Sequence, residues 1–449
     1  MILILPTTLI SIFLYFLKYN NSVRLALINS FLILSALIFL ITEFLSLFNY
    51  ITIVSILLSY LLLAIVFFYF SPKFKFPKLK FDSFDKIILI AIFFISSTTL
   101  IIAIIAPPNN WDSMTYHMSR VGYWIQNKGI HFFNTNNPRQ NILSPFSEYV
   151  ILHFQILSGS DIFANLVQWI SLIISMTTIS LICEQFGLNK RLQLISAFFI
   201  CSLPIVVLQS SSTQNDIVVS TFILLFYYYQ VILVKKHSNT IMYFSGLSLG
   251  LGILTKGTSY ILLFAIGITY FAYSILNKNW KIIAVIISRY GIILFIGLLI
   301  NLPHYLRNYI AHNDILGLNM FPSLTNELFS FGTIFSNLIR HIAYQLGSNI
   351  NLINWYIYSF VKILLGDSIS DPRTSFLDRD FRPPFLSFSE DHAGNVIHTI
   401  FFIIIFLASI VLIKKFKKIQ ITSLFIAVIS IFLYCLLLKW QPWTNKVLP

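Results

Sequence analysis

Long apolar runs separated by short polar or basic segments make up most of this chain. The runs are about 17–25 residues long, the length of α-helix that crosses a hydrocarbon core of roughly 30 Å. Run length and loop charge together predict about twelve spans. Their predicted limits are 2–17, 25–48, 51–70, 86–106, 161–183, 191–209, 216–234, 241–254, 258–276, 281–300, 398–413 and 421–438. The pattern therefore predicts an all-α polytopic membrane protein.

Composition agrees with this pattern. The 449 residues are 57% hydrophobic and 10% charged, whereas soluble domains are nearer half apolar and a quarter charged. The cysteines, Cys183, Cys201 and Cys435, lie in or beside apolar runs without the spacing of a disulfide or metal site, so we interpret them as packing residues. The first apolar run has no basic segment before it and no small-residue cleavage site, which favours a retained span over a signal peptide.

Charge is unevenly distributed along the chain. The net charge is +14, and the basic residues concentrate in short loops between apolar runs, as the positive-inside rule expects of cytoplasmic loops. This distribution argues against nucleic-acid binding, which needs a basic face for phosphates. The basic loops all fall on one side of the predicted topology and contain Lys18 and Arg24, Lys73, Lys75, Lys78 and Lys80, Lys190 and Arg191, Lys235 and Lys236, Lys278 and Lys281, and Lys414, Lys415, Lys417 and Lys418.

The polar segments without a topological purpose fall on the opposite, extracytoplasmic side. Apolar residues at helical spacing after position 112, and again after Pro145, predict two amphipathic helices lying in the membrane interface. The segment 324–365 has a similar helical pattern with charges that favour the interface over a span. These outer segments are 107–160, 211–216, 255–257 and 301–397.

Asp112 is the most informative residue of the outer segments. It follows a predicted span directly and stands among Trp111, Tyr116, His117 and Arg120. Ionisable groups near the bilayer are costly and usually functional, although Asp is also a common helix N-cap. The two roles are compatible, because an acid held by an interfacial helix can still face a cavity.

Two further charged residues follow later spans on the same side. Asp216 begins a span, where it caps the helix or contributes a second polar contact to the same cavity. Lys256 lies on the outer side, where a lysine has no topological role. Snorkelling explains it, and so does a contact to a lipid-linked phosphate, since an ammonium group binds phosphate as a point charge.

The last two polar groups flank the long outer segment. His304 and Arg307 share a helical face if the helix continues; they either belong to a headgroup-contacting belt or bind a phosphate. Asp391 and Asn395 lie in Glu390-Asp391-His392-Ala393-Gly394-Asn395, just before a span. Acid and imidazole groups at this spacing can hold a divalent cation, whereas capping of the next span explains them without a metal.

Several signatures of other functions are missing from the sequence. It has no Walker A pattern, no dinucleotide-binding glycine fingerprint and no His-Glu-x-x-His motif. No predicted span carries the internal charge ladder expected of an ion-coupled pump, and no inverted repeat indicates a transporter.

Together, the polar motifs resemble bacterial membrane glycosyltransferases of the GT-C fold, the group that includes the protein O-mannosyltransferases and the aminoarabinose transferases of lipid A. The resemblance depends on the order and spacing of the motifs and extends from about residue 86 onward. The motifs are PPNNWDSMTYH at 107–117, SSTQND at 211–216, LTKG at 254–257, NLPHYLRN at 301–308 and EDHAGN at 390–395.

The resemblance implies a sugar donor carried on a polyprenyl phosphate or diphosphate and inverting transfer to a lipid, glycan or protein hydroxyl outside the plasma membrane of a bacterium. It implies that Asp112 is the catalytic base and that Lys256 lies on the donor side; as contacts to the donor phosphate we expect Lys256 and Arg307, with Arg120 third. It makes the remaining outer polar residues substrate contacts and leaves room for a divalent cation. These contacts are Trp111, Tyr116, His117, Asp216, His304, Asp391 and Asn395.

The resemblance also suggests a division of the chain. Residues 1–85 are expected to form extra N-terminal spans and a basic cytoplasmic loop, ahead of the transmembrane core at 86–310 with its catalytic loop at 107–160. Residues 311–397 are expected to form an extracytoplasmic helical loop, and 398–449 the C-terminal spans. Relatives generally continue further, so a shortened member is expected.

A transporter or flippase for lipid-linked or small polar substrates is the main alternative, and a non-catalytic assembly subunit is a third. A transporter predicts polar residues spread through the spans. This sequence instead places its polar groups in outer loops after helix ends.

Overall fold

The computed structural model describes residues 1–20, 22–71, 81–236, 238–276 and 278–443. Within these ranges the chain forms α-helices joined by short turns, and it contains no β-strand. The helices are α1 (Ile4–Asn20), α2 (Val23–Leu47), α3 (Ile53–Tyr69), α4 (Ser83–Ile105), α5 (Met118–Asn127), α6 (Arg139–Ile142), α7 (Phe146–Ser158), α8 (Leu166–Gln185), α9 (Lys190–Cys201), α10 (Pro204–Gln209), α11 (Asp216–Lys235), α12 (Asn239–Thr255), α13 (Ser259–Ile275), α14 (Trp280–His312), α15 (Phe331–Gln345), α16 (Asn351–Leu365), α17 (Val396–Val411) and α18 (Lys418–Leu437).

The predicted fold class, an all-α polytopic membrane protein, is confirmed. Six of the described helices are long and apolar enough to cross a membrane, namely α2, α4, α8, α11, α14 and α18. Shorter apolar helices, α1, α3, α13 and α17, coincide with further predicted spans. The total of about twelve spans stays a prediction.

Two predicted spans differ from the helices observed. The predicted span 191–209 is divided into α9 and α10, because Pro204 lacks the backbone donor and restricts the residue before it. The predicted span 281–300 continues as α14 through Pro303 to His312. As a result, His304 and Arg307 lie on the last turns of a long helix.

The described residues divide into two compact units. The first contains Met1–Cys201, Gln209–Leu263 and Ser274–Gly317, and the second contains Ser202–Leu208, Phe264–Tyr273 and the described residues from Leu318 onward. Helices α1 to α3 therefore belong to the same unit as the outer loop that carries Asp112.

Close helix packing in the first unit depends on small residues. Helix α12 packs along α14, and Gly246 and Gly250 face it one helical turn apart. A Cβ atom added to Gly250 would lie 2.6 Å from the side chain of Ile300 and 3.2 Å from the Gly297 backbone. Small residues at four-residue spacing let membrane helices approach in this way. The contact holds the end of α14 beside the end of α12.

Helix α7 packs against other helices over most of its surface, although Val150, Phe154 and Ile156 stay partly exposed. Its polar residues Glu148 and His153 are fully buried, and the interfacial position predicted for this helix stays a prediction. The imidazole of His153 hydrogen-bonds the Thr42 hydroxyl of α2 at 2.9 Å and the Tyr60 hydroxyl of α3 at 2.6 Å. These bonds connect α7 to the N-terminal helices, which supply partners that spacing along the sequence does not reveal.

The two ends of the first unit differ in chemistry. At one end Arg24 pairs with Glu184 at 3.1 Å, and Arg191 pairs with Asp82 at 2.8 Å. These are helix-end residues from the loops predicted to be cytoplasmic. Lys73, Lys75, Lys78 and Lys80, predicted to share that side, lie outside the described residues. The opposite end carries the outer segments of this unit, so the charge pattern of the sequence separates the two ends of the bundle.

The second unit is organised around a buried guanidinium. Arg340 of α15 is fully buried and stacks near Trp440. It donates to Asn337 Oδ1 at 2.6 Å and to the hydroxyls of Ser375 and Thr374 at 2.7 and 3.0 Å. Burial lowers the pKa of Arg340 to about 10, which leaves it charged at neutral pH. It thereby joins α15 to the loop after α16.

We expect Arg340→Ala to lower the thermal stability of the detergent-solubilised protein by several degrees. The change leaves several buried acceptors unpaired, at a cost of about 1–3 kcal/mol for each group. The measurement is a melting curve, with proteolysis of segment 366–378 as a second readout. Arg382→Ala, at an exposed position of the same unit, is the control and should melt like the wild type. Equal melting temperatures for both variants would contradict the assignment.

Candidate functional site

Asp112 directly precedes a short π-helical turn, Ser113–His117, that runs into α5. The turn places one extra residue between its hydrogen-bonded groups, and the Met118 N–H donates to the Ser113 carbonyl. The Asp112 side chain is 16% exposed, and its Oδ1 atom lies 4.0 Å from the Arg139 guanidinium. The carboxylate is therefore reachable from solvent and already has a cation beside it.

Three outer segments meet at this turn. The hydroxyls of Ser113 and Thr213 are hydrogen-bonded to each other. Thr213 lies three residues before Asp216, whose Oδ1 accepts from the Lys256 ammonium at 2.5 Å. Asn215 donates to the Thr255 carbonyl at 3.1 Å. These bonds join the start of α11 directly to the end of α12. The Asp112 turn contacts the segment just before α11 through Ser113 and Thr213.

Tyr116 lies among the acids of this region. Its phenol is buried, and burial raises its pKa well above the ordinary value of 10.0. The carboxylates of Asp112, Glu148 and Asp216 raise the pKa further, in that order of effect. The interaction between two charges weakens with distance. Because both Asp112 and Asp216 affect the Tyr116 phenol, both carboxylates lie in the region around this side chain.

A buried charge cluster, made of His117, Arg120 and Glu148, lies beneath the turn. His117 Nδ1 donates to Glu148 Oε1 at 2.7 Å, and Arg120 Nη1 donates to the same oxygen at 3.3 Å. All three side chains are almost completely enclosed. Burial favours the neutral carboxyl of Glu148, but the charges of Arg120 and His117 outweigh burial, so the pKa lies below its ordinary value of 4.5.

Arg120 also determines the course of the loop that precedes α7. Its Nε donates to the Gln140 carbonyl at 2.5 Å, and its Nη2 donates to the carbonyls of Arg139 and Leu143 at 2.9 and 2.8 Å. The guanidinium therefore holds segment 139–143, including the residue whose side chain faces Asp112. Its donors are directed at protein atoms, and none of its surface is exposed.

Arg307 is paired with an acid of the N-terminal helices. Its two terminal nitrogens donate to the two carboxylate oxygens of Glu43 at 2.8 and 2.9 Å, and Nη2 also donates to the Tyr149 hydroxyl at 2.9 Å. Tyr149 donates in turn to Glu43 at 2.7 Å. The pair is partly exposed, at 19% for Arg307 and 15% for Glu43.

The other predicted residues occupy varied positions. His304 is buried, and its Nε2 donates to the Ile142 carbonyl at 3.0 Å. Trp111 is 74% exposed beside Asp112. In the second unit, Asn395 is buried and donates to Gln345 Oε1 at 3.1 Å, and the Asp391 N–H donates to the Ser389 hydroxyl at 3.3 Å. Across the described ranges, no three His, Cys, Asp or Glu side chains form a metal-binding group.

The structure therefore joins the Asp112 turn, Asp216 and Lys256, which the sequence had placed only on one side of the bundle. It adds Glu148, Glu43 and Arg139, which we did not predict. Glu43 lies inside a predicted span, and an acid there is itself a signal of function or pairing. Glu148 lies in an apolar pattern that resembled a surface helix.

Comparison with known proteins gives one partial match. Residues 143–306 match the model of the dolichyl-phosphate-mannose-protein mannosyltransferase family. No curated protein and no solved structure matches the chain. The matched stretch includes Glu148, Asp216 and Lys256, but it begins after Asp112 and is shorter than the resemblance expected from residue 86 onward. The match supports a membrane glycosyltransferase of the GT-C type with a lipid-linked sugar donor.

The lowered pKa of Glu148 predicts a pH-dependent contribution to stability. The ionised carboxylate stabilises the fold fully above pH 4.5, the ordinary value, and this stabilisation is lost as pH falls through the lower folded-state pKa. Glu148→Gln removes the charge, so the difference in melting temperature from wild type should be largest near pH 7 and shrink in acid. Melting curves between about pH 3 and pH 7 test this; a constant difference would argue against it.

Proposed function

We propose that this protein transfers a sugar from a polyprenyl-phosphate or polyprenyl-diphosphate donor to a hydroxyl acceptor, with inversion, on the extracytoplasmic side of the plasma membrane. The observation that carries the proposal is the meeting of the Asp112 turn with the Asp216–Lys256 ion pair. A base and a cation in one polar region suit a reaction that removes a proton and releases a phosphate. The family match at residues 143–306 supports the type of donor.

Asp112 acts in this proposal as the general base. The acceptor oxygen attacks C1 of the sugar and gives its proton to the Asp112 carboxylate while the new C–O bond forms. The bond from C1 to the donor phosphate breaks, and its electron pair leaves on the phosphate oxygen. General-base assistance of this kind contributes roughly 10²–10⁴ in rate, and the sugar passes through an oxocarbenium-like state.

Lys256 is the proposed contact to the leaving phosphate. Its side chain is 23% exposed, so a ligand can reach the ammonium group, and Asp216 holds that group in place. A positioned cation stabilises the charge that develops on the departing oxygen. We retain Arg307 as a second phosphate contact, which would share its guanidinium with Glu43. We assign Arg120 to support of segment 139–143, because its donors point to that backbone.

The remaining predicted contacts follow from exposure. Trp111 offers an exposed ring beside the base, and such rings stack on sugar faces as well as on headgroups. Tyr116, His117 and His304 are buried and shape the site from beneath. Asp391 and Asn395 belong to the second unit, and their contact with substrate stays a prediction.

We expect Asp112→Asn to reduce transfer of a radiolabelled sugar from its polyprenyl phosphate by about 10²–10⁴ in proteoliposomes. The substitution keeps the size of the side chain but removes its ability to take a proton. Asp161→Asn, at an exposed position just after the same outer segment, should transfer at the wild-type rate. Near wild-type transfer by a folded Asp112→Asn protein would exclude Asp112 as the base, and transport of the intact donor without transfer would favour a flippase.

We expect Lys256→Gln to raise the apparent KM for the donor and to lower kcat, because one cation stabilises both the bound and the departing phosphate. The apparent KM for the acceptor should change little. Initial rates at varied donor and acceptor concentrations separate these effects. Lys128→Gln, at an exposed position outside the proposed site, is the matched control. A change confined to the apparent KM for the acceptor would contradict the contact between Lys256 and the donor phosphate.

A further inference from the structure

Glu148 connects the two sides of the Asp112 site from beneath, although it cannot touch a substrate in its enclosed position. We propose that Glu148 is a positioning residue, which fixes the Asp112 turn through His117 and the facing Arg139 through Arg120. The inference rests on the proposed function, since it gives Glu148 its purpose in relation to the base. It assigns a role to an acid in the first turn of a largely apolar helix.

The first connection runs through His117. The imidazole donates to Glu148 Oε1 at 2.7 Å, and His117 is the last residue of the π-helical turn that begins immediately after Asp112. The hydrogen bond from the Met118 N–H to the Ser113 carbonyl closes this turn. With its far end held by a buried carboxylate and its near end by the Ser113–Thr213 contact, the turn leaves the Asp112 backbone little freedom.

The second connection runs through Arg120. Its guanidinium donates to the same Glu148 oxygen at 3.3 Å and to the backbone carbonyls of segment 139–143. That segment carries Arg139, which is 41% exposed and reaches to 4.0 Å from Asp112 Oδ1. Glu148 thus determines where the cation beside the base lies, although it contacts neither the base nor that cation.

A carboxylate suits this position better than a neutral group. One Glu148 oxygen accepts from both an imidazole and a guanidinium, and ionised acceptors form the stronger bonds. A buried guanidinium also needs a negative partner, because its burial without one is costly. A glutamine at position 148 can still offer an oxygen to both donors, but it removes the negative charge that strengthens these bonds and that balances the buried guanidinium. Both connections should therefore loosen when the charge is removed.

His153 provides a matched control on the same helix. It is fully buried, like Glu148, but it hydrogen-bonds Thr42 and Tyr60 of the N-terminal helices. Its replacement by glutamine should destabilise the helix packing without loosening the Asp112 turn. The comparison separates positioning of the site from a general loss of stability.

The first measurement is hydrogen–deuterium exchange of the full-length protein in lipid nanodiscs, which needs neither donor nor acceptor. In Glu148→Gln and Glu148→Ala we expect segments 113–117 and 139–143 to exchange about tenfold faster, because local opening becomes easier. His153→Gln should leave both segments at the wild-type rate. Unchanged exchange rates in the Glu148 variants would overturn the inference, and so would an equal increase in His153→Gln. If Glu148→Ala does not fold, the comparison is made with Glu148→Gln alone.

The second measurement is transfer from the polyprenyl-phosphate sugar. Glu148→Gln should lower kcat by about 10–100-fold, as expected for a misplaced base, while the donor KM stays within about threefold of wild type. In an Arg139→Gln background, Glu148→Gln should lower kcat by a smaller factor, because the connection from Glu148 through Arg139 to Asp112 is already lost. Fully additive losses would contradict the route through Arg139. Full activity of Asp112→Asn together with loosened segments would instead refute the proposed function.

Discussion

Charge inside this protein is stable only where it is paired or fully hydrogen-bonded, because burial in a medium of low polarity penalises every unmatched ion. The polar end of the first unit meets this requirement at several places, two of which hold buried or half-buried arginines. Glu148 balances Arg120 and receives the His117 imidazole, and Glu43 balances Arg307 through two parallel hydrogen bonds. Each pair joins elements far apart in the chain, so the polar end of the bundle owes its shape to these contacts as much as to helix packing.

Side-chain exposure increases from the buried ion pairs toward the surface of this region. Arg120, His117, Glu148 and Asp216 are buried, Asp112 is partly covered, and Lys256, Arg139 and Trp111 reach the surface. Buried charged groups beneath reachable ones form the kind of arrangement that positioned catalysis requires. The small-residue contact between α12 and α14 packs together the helix that ends just before Lys256 and the helix that carries Arg307.

Hydropathy predicted the helices well because the cost of exposing polar backbone to lipid forces long apolar runs into α-helices. Loop charge likewise predicted that Asp112, Asp216 and Lys256 would share one end of the bundle. The partners of His153, Glu148 and Arg307 were beyond sequence reasoning, since each lies on a different helix and no spacing rule relates them. The burial of the polar residues of α7 could not be predicted for the same reason: an apolar pattern with a few polar residues is equally typical of a surface helix and of a buried helix with polar partners.

The pairing of Glu43 with Arg307 has a consequence for biosynthesis. The two residues are 264 positions apart, so α2 is synthesised and inserted long before its partner on α14 exists. During that interval an acid near the end of a span has no arginine to neutralise it, and it must remain at the aqueous boundary or carry a proton. Completion of α14 then supplies the missing charge. The contact between α2 and α14 therefore forms only after α14 has been synthesised.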